Sequence, residues 1–175
     1  MTKFALVTSI MSLVLLGGFI GLSIWRFGLL KSYSRYAKKW TEFIPMHNVN
    51  VWSIVTVIVA ILLMPALIER AQGSPLQCLG FLVPIYLIAV ALTPRYESDS
   101  VQMWWHATFT FCCAVGFIAY VCLGLHLWYV PLICLAAFFL LIAFPTKSIK
   151  TSYILWIECA LFSTAYVVTF IPGAV

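Results

Sequence analysis

Glu158 stands inside an apolar run from Tyr153 to Ile171, and His106 stands inside another from Val101 to Leu125. Burying an ionisable group in such surroundings is costly unless it is paired or used, so each is a candidate for chemistry. Glu158 lies about one and a half helical turns into its run, and His106 lies at a similar depth. A histidine and a carboxylate meeting there could move a proton near neutral pH, hold a lipid headgroup, or act as acid and base in a reaction. The same pair could also serve as a clamp between helices. Thr110 and Cys113 follow His106 at i+4 and i+7, extending its helical face inward as a modestly polar stripe.

A second group of reactive side chains lies between the apolar runs: His47 with Asn48 and Asn50, and Arg95 with Glu97 and Asp99. Carboxylates with histidines are what a divalent metal or a hydrolytic water requires, but the spacing matches no ligand motif such as histidines at i and i+4. His47, Glu97 and Asp99 therefore read as an accessory polar cluster in solvated loops, and no metal is expected. His106 and His126 are twenty residues apart on one run, which places them at opposite ends of a helix and prevents them from clasping one haem. No cofactor is expected. Glycine-rich phosphate loops, nucleophile elbows and internal repeats are absent from the sequence.

The elements that must position these residues follow from composition. The chain is 64% hydrophobic and 9% charged, with a mean hydropathy of +1.08; soluble domains carry about a quarter charged residues. Apolar stretches over about 4–25, 49–68, 76–92, 101–125, 128–144 and 153–171 are each of a length to cross a bilayer. The expectation is an all-α polytopic transmembrane bundle of about six spans, forming one domain over 1–175. Pro65 and Pro84 fall inside two spans, where each removes a backbone donor. The six cysteines sit mostly within apolar stretches and read as small buried residues.

Orientation follows from the cations. Arg26, Lys31, Arg35, Lys38, Lys39, Arg95, Lys147 and Lys150 fall on one side, leaving Lys3 and Arg70 on the other. The positive-inside rule makes the first side cytoplasmic and puts both termini on the far side. It also accounts for the net charge of +5 without nucleic acid, which is not expected as a partner. Trp25, Trp52, Trp104, Trp105 and Trp156 crowd the cytoplasmic interface in this reading, and Trp128 marks the opposite one. On that far side Glu69, Arg70 and His126 form a second small polar group.

Between the first two spans, over about 28–44, Leu29, Leu30, Tyr33, Tyr36, Ala37, Trp40, Phe43 and Ile44 recur at helical spacing, with Lys31, Arg35, Lys38 and Lys39 in the gaps. The pattern predicts an amphipathic interfacial helix, its rings in the acyl boundary and its cations near anionic headgroups. Lys31, Arg35, Lys38, Lys39 and Trp40 are the candidate lipid-surface residues. Gly17 and Gly21 make a GxxxG step suited to close helix packing within the monomer, and Asn50, Ser53, Thr56 and Ala60 form a hydrogen-bonding face on the second span.

A serine- and tyrosine-rich connection after the first span, Ser32-Tyr33-Ser34-Arg35-Tyr36, and a fourth span opening with His106 resemble the six-helix membrane families around the DRAM-type and GPI-lipid-remodelling proteins. The resemblance covers most of the chain by layout, lacks the acidic and glycine residues expected beside the serines, and transfers no catalytic residue. It implies a lipid-handling or membrane-homeostasis role. The leading expectation is thus a lipid-associated accessory or sensing protein of the membrane, with membrane lipids as partners and a homo-oligomer or partner membrane protein also open. The alternatives are a membrane enzyme acting on a lipid headgroup through His106 and Glu158, and a small transporter, for which mid-depth polar groups and matching broken helices would be expected.

Overall fold

The computed structural model describes residues 1–45, 50–93, 100–133, 136 and 153–170. Among the described residues all regular structure is helical. Helix α1, Lys3–Phe27, starts where the Thr2 hydroxyl accepts the Ala5 amide at 3.2 Å. It stops at Gly28, whose φ of 73° leaves the helix while its amide donates back to Ile24 O. A short helix, α2 (Arg35–Phe43), precedes α3 (Val51–Arg70), whose first turn is capped by the Asn50 side chain accepting the Trp52 amide at 2.8 Å. Then come α4 (Gln77–Leu92) and α5 (Ser100–Ala119), which runs on as a π-helical turn over Tyr120–Gly124. His126, at φ 55°, turns the chain, which is helical again over 129–133. The last helix is α6, Tyr153–Phe170. Most of the expected span over 128–144 lies outside the described residues.

Among the described residues three helices are long and apolar enough to cross a membrane: Lys3–Phe27, Val51–Arg70 and Met103–Gly124. The twenty residues of α3 extend about 30 Å, the thickness of a hydrocarbon core. The apolar helix α4 has sixteen residues and reaches only about 24 Å.

The side chains are arranged inside out relative to a water-soluble bundle. Phe4, Val7, Ile10, Met11 and Val14 face outward from α1, whereas Thr8, Ser9, Ser12 and Ser23 of the same helix are buried. In a surface solvated by lipid, apolar contact with solvent carries no penalty, so small polar residues become the packing face. Ser12 shows this directly: its hydroxyl lies 3.0 Å from Val59 O and 2.7 Å from the Tyr166 hydroxyl, joining α1, α3 and α6. Centrally placed, α3 packs on α1 and α4, while α5 packs on α4.

Two packing expectations are corrected. Gly17 and Gly21 are exposed, and a Cβ at either would meet nothing within 4 Å, so the GxxxG step is not used within the described part of the monomer. The close approach is instead at Gly80, where a Cβ would lie 2.7 Å from Leu67 O; only hydrogen fits between α3 and α4 at that point. Trp52, expected at the lipid interface, is 1% exposed and belongs to the core.

Candidate functional site

The connection after α1 decides where the site forms. Part of its apolar face turns inward: Tyr33, Tyr36 and Trp40 are buried against the protein itself, while Leu29, Phe43 and Ile44 of the same stripe are exposed. Trp40 stacks on Phe19 with ring centroids 5.3 Å apart and donates its indole N–H to Ser23 Oγ at 2.9 Å, so it is not presented to a lipid surface. The Asn50 side chain donates to Ala37 O at 2.8 Å and to Thr41 Oγ1 at 2.7 Å, tying α2 to the start of α3. Helix α2 is also shorter than the predicted segment, because the chain from Gly28 to Ser34 is not helical but folded across the bundle. Lys31, Arg35 and Lys39 remain exposed on its outer side, and Lys39 pairs with Glu42 at 2.9 Å.

The inward fold of that connection meets α6. Lys31 O accepts the Leu155 amide at 3.0 Å, satisfying one of the unpartnered donors of the first turn of α6. Two residues on, the Tyr33 amide donates to Glu158 Oε2. The Tyr33 ring then packs on Trp52, Phe162 and Phe19. Its hydroxyl lies 3.2 Å from Thr56 Oγ1, whose own proton goes to Trp52 O at 2.8 Å, so Tyr33 is the donor. Burial pushes the Tyr33 phenol well above its ordinary pKa, against the smaller opposing effect of the Thr56 contact. It stays protonated at any physiological pH.

His106 and Glu158 come to one place, but through separate partners. The imidazole Nδ1 of His106 lies 2.7 Å from Thr93 O. A carbonyl only accepts, so Nδ1 carries a proton and donates. Both side chains line a partly open cavity of about 120 Å³. Each helix around it contributes one face: Trp52, Thr56, Ala60, Leu63 and Leu67 from α3; Val83, Pro84, Leu87 and Val90 from α4; His106, Thr110, Cys113, Ala114 and Phe117 from α5; and Glu158, Leu161, Phe162 and Ala165 from α6. Tyr33 and Ser34 close one end. The stripe of Thr110 and Cys113 below His106 does line a cavity, as does the Thr56 and Ala60 part of the α3 face.

The cavity is polarised along its length. Trp52, Thr56, His106 and Glu158 lie near the beginnings of α3, α5 and α6, beside Tyr33 and Ser34; Leu67, Phe117 and Ala165 lie at the other end. From Trp52 to Leu67 is fifteen residues of helix, or about 22 Å. No family model, characterised protein or solved structure matches this chain. The cavity must therefore be read from its own chemistry.

The remaining sequence-derived groups fall elsewhere. His47, Glu97 and Asp99, with Arg95, Lys147 and Lys150, lie outside the described residues. At the far end, Glu69 accepts from the Thr2 amide at 2.7 Å and from the Thr2 hydroxyl, and Arg70 Nε donates to Thr169 O at 3.2 Å. These partners, Thr2 and Thr169, join the ends of α1 and α6 to α3. Tyr33 and Trp52 were missed as site residues. The available signal was that Glu158 needs a partner; the partner is a backbone amide, which every non-proline residue carries.

Proposed function

We propose that this chain is a multi-pass membrane protein of about six spans, with both termini non-cytoplasmic, that holds a lipid-like single-chain amphiphile in the cavity between α3, α4, α5 and α6. The observation that carries the reading is the division of one cavity into a polar end at Glu158, His106, Tyr33 and Ser34 and an apolar body. A ligand pocket with an apolar lining and a few convergent polar groups suits an amphiphile whose head is fixed and whose tail is buried by area alone. The room supports this too. About 10–15 Å³ of such space is the least that admits one water, so a cavity of about 120 Å³ admits several atoms of a ligand. The likeness in layout to DRAM-type and GPI-lipid-remodelling families points to the same lipid-handling class. Lys31, Arg35 and Lys39, exposed on the connection, sit where the cytoplasmic headgroup layer would be and draw the polar end toward anionic lipid.

The test is the lipid carried by the protein. Purified in mild detergent and extracted, the wild type should yield a single-chain amphiphile near one per chain, and Ala114→Phe, which fills the cavity from α5, should yield less than about a tenth of that at unchanged helicity. Equal recovery from the two would reject the cavity as the site. A second reading, an enzyme acting on a headgroup, is favoured specifically by His106 and Glu158 lining the same space. The same extracts address it: an amphiphile chemically altered by wild type and unaltered by Glu158→Gln would replace binding with turnover.

A further inference from the structure

The hydrogen-bonding inventory of the polar end defines the head that fits it. Nearly every donor there is already committed: the Tyr33 hydroxyl to Thr56, the Thr56 hydroxyl to Trp52 O, the Thr110 hydroxyl to His106 O at 2.7 Å, and His106 Nδ1 to Thr93 O. The acceptors are not. Glu158 places Oε2 on the Tyr33 amide, and among the described residues Oε1 has no hydrogen-bond partner and no cation pairs with the carboxylate. The hydroxyl oxygens of Thr110 and Ser34 add further lone pairs on the same lining. Among the described residues the indole N–H of Trp52, a residue that lines the cavity, is buried without a hydrogen-bond partner.

In its ionised form Glu158 is a partly buried carboxylate with no cation paired to it among the described residues, and the unmade indole hydrogen bond of Trp52 adds to the deficit. Phosphate, sulfate and carboxylate heads supply only acceptors and would bring a second negative charge to Glu158. An ammonium supplies a positive charge and several donors with no acceptor, which complements the site on both counts.

We propose that the cavity selects long-chain amines: single-chain amphiphiles whose protonated amino head pairs with Glu158. This rests on the reading of the cavity as an amphiphile site and adds the class of head it recognises. Preference comes from charge and donor count at one end, since the apolar body treats all tails of one length alike.

Four compounds with one tail separate the possibilities: decylamine, decanol, decanoate and decyl phosphate. Each competes with a photoreactive decylamine analogue for labelling of the full-length protein in phosphatidylcholine nanodiscs. The amine should displace the probe at about one tenth the concentration needed for the alcohol, the margin expected of a charge-assisted over a neutral hydrogen bond, and the two anions should be weakest. In Glu158→Gln, which keeps an acceptor for the Tyr33 amide, the amine and the alcohol should compete alike. An anion matching the amine in the wild-type protein would overturn the amine assignment while leaving the cavity as an amphiphile site. So would an amine preference that survives in Glu158→Gln. Failure of all four to displace the probe would reject the underlying amphiphile reading and the assignment together.

Discussion

Individual side chains in this bundle differ sharply in what they tolerate, and the glycines make the contrast measurable. A methyl group on Gly80 would sit 2.7 Å from Leu67 O and 3.0 Å from the Leu67 carbonyl carbon, both backbone atoms that cannot swing aside. Gly80→Ala should destabilise the protein by about 1–3 kcal/mol, the usual cost of forcing extra volume into a packed contact. Gly17→Ala, with nothing within 4 Å of the added carbon, should be neutral or stabilise by about 0.5–1 kcal/mol through helix propensity. Denaturation midpoints of the two variants in one detergent test both statements, and a Gly80→Ala protein as stable as wild type would contradict the close α3–α4 approach. Glu158 poses the opposite kind of demand, since its environment must supply partners. It has one in the Tyr33 amide, and its side chain lines the cavity.

At the scale of elements, the segment from Gly28 to Phe43 works as an inner wall. Its aromatic residues reach α1 through Phe19 and Ser23, α3 through Trp52 and Thr56, and α6 through Phe162. At its far edge Arg26 lies over the Phe43 ring, 4.6 Å from the centroid, pinning the end of α2 to α1. Trp40→Phe keeps the stack on Phe19 but loses the hydrogen bond to Ser23, and should loosen the docking of α2 by about 1 kcal/mol. Trp40→Ala also removes the ring and should cost about 3–5 kcal/mol. Tryptic cleavage at Arg35 and Lys39 measures this, with rates rising from wild type to Phe to Ala. Identical rates would mean that the segment is held by something other than its buried rings.

At the scale of the whole molecule, the orientation proposed from the distribution of charge can be tested directly. In a cysteine-free background, single cysteines at Lys31 and Lys39 should react with an impermeant reagent from the cytoplasmic side, and those at Lys3 and Gln72 from the other. All four positions are exposed, so the protein itself does not shield them. Changing Lys31, Arg35, Lys38 and Lys39 together to glutamine should give a mixed population of orientations. A single, unchanged orientation would show that charge on this connection does not direct insertion.

Composition and periodicity by themselves determined that the chain is helical, that several helices have the length and apolarity of membrane spans, and that Glu158 and His106 are the ionisable groups most in need of explanation. Those conclusions depend on local hydropathy and on the cost of burying charge, both of which are properties of residue type. Tertiary structure alone decided where the apolar face of the connection went. A stripe of Tyr33, Tyr36 and Trp40 satisfies itself equally against lipid or against protein, and spacing is the same in the two cases. It also decided that Glu158 meets a main-chain amide instead of an imidazole, because backbone donors are carried by nearly every residue and leave no mark in the sequence. The cavity belongs to the same category: its walls are single faces of four helices, and the space between them depends on how closely those helices approach, which at Gly80 is fixed by the absence of one carbon atom.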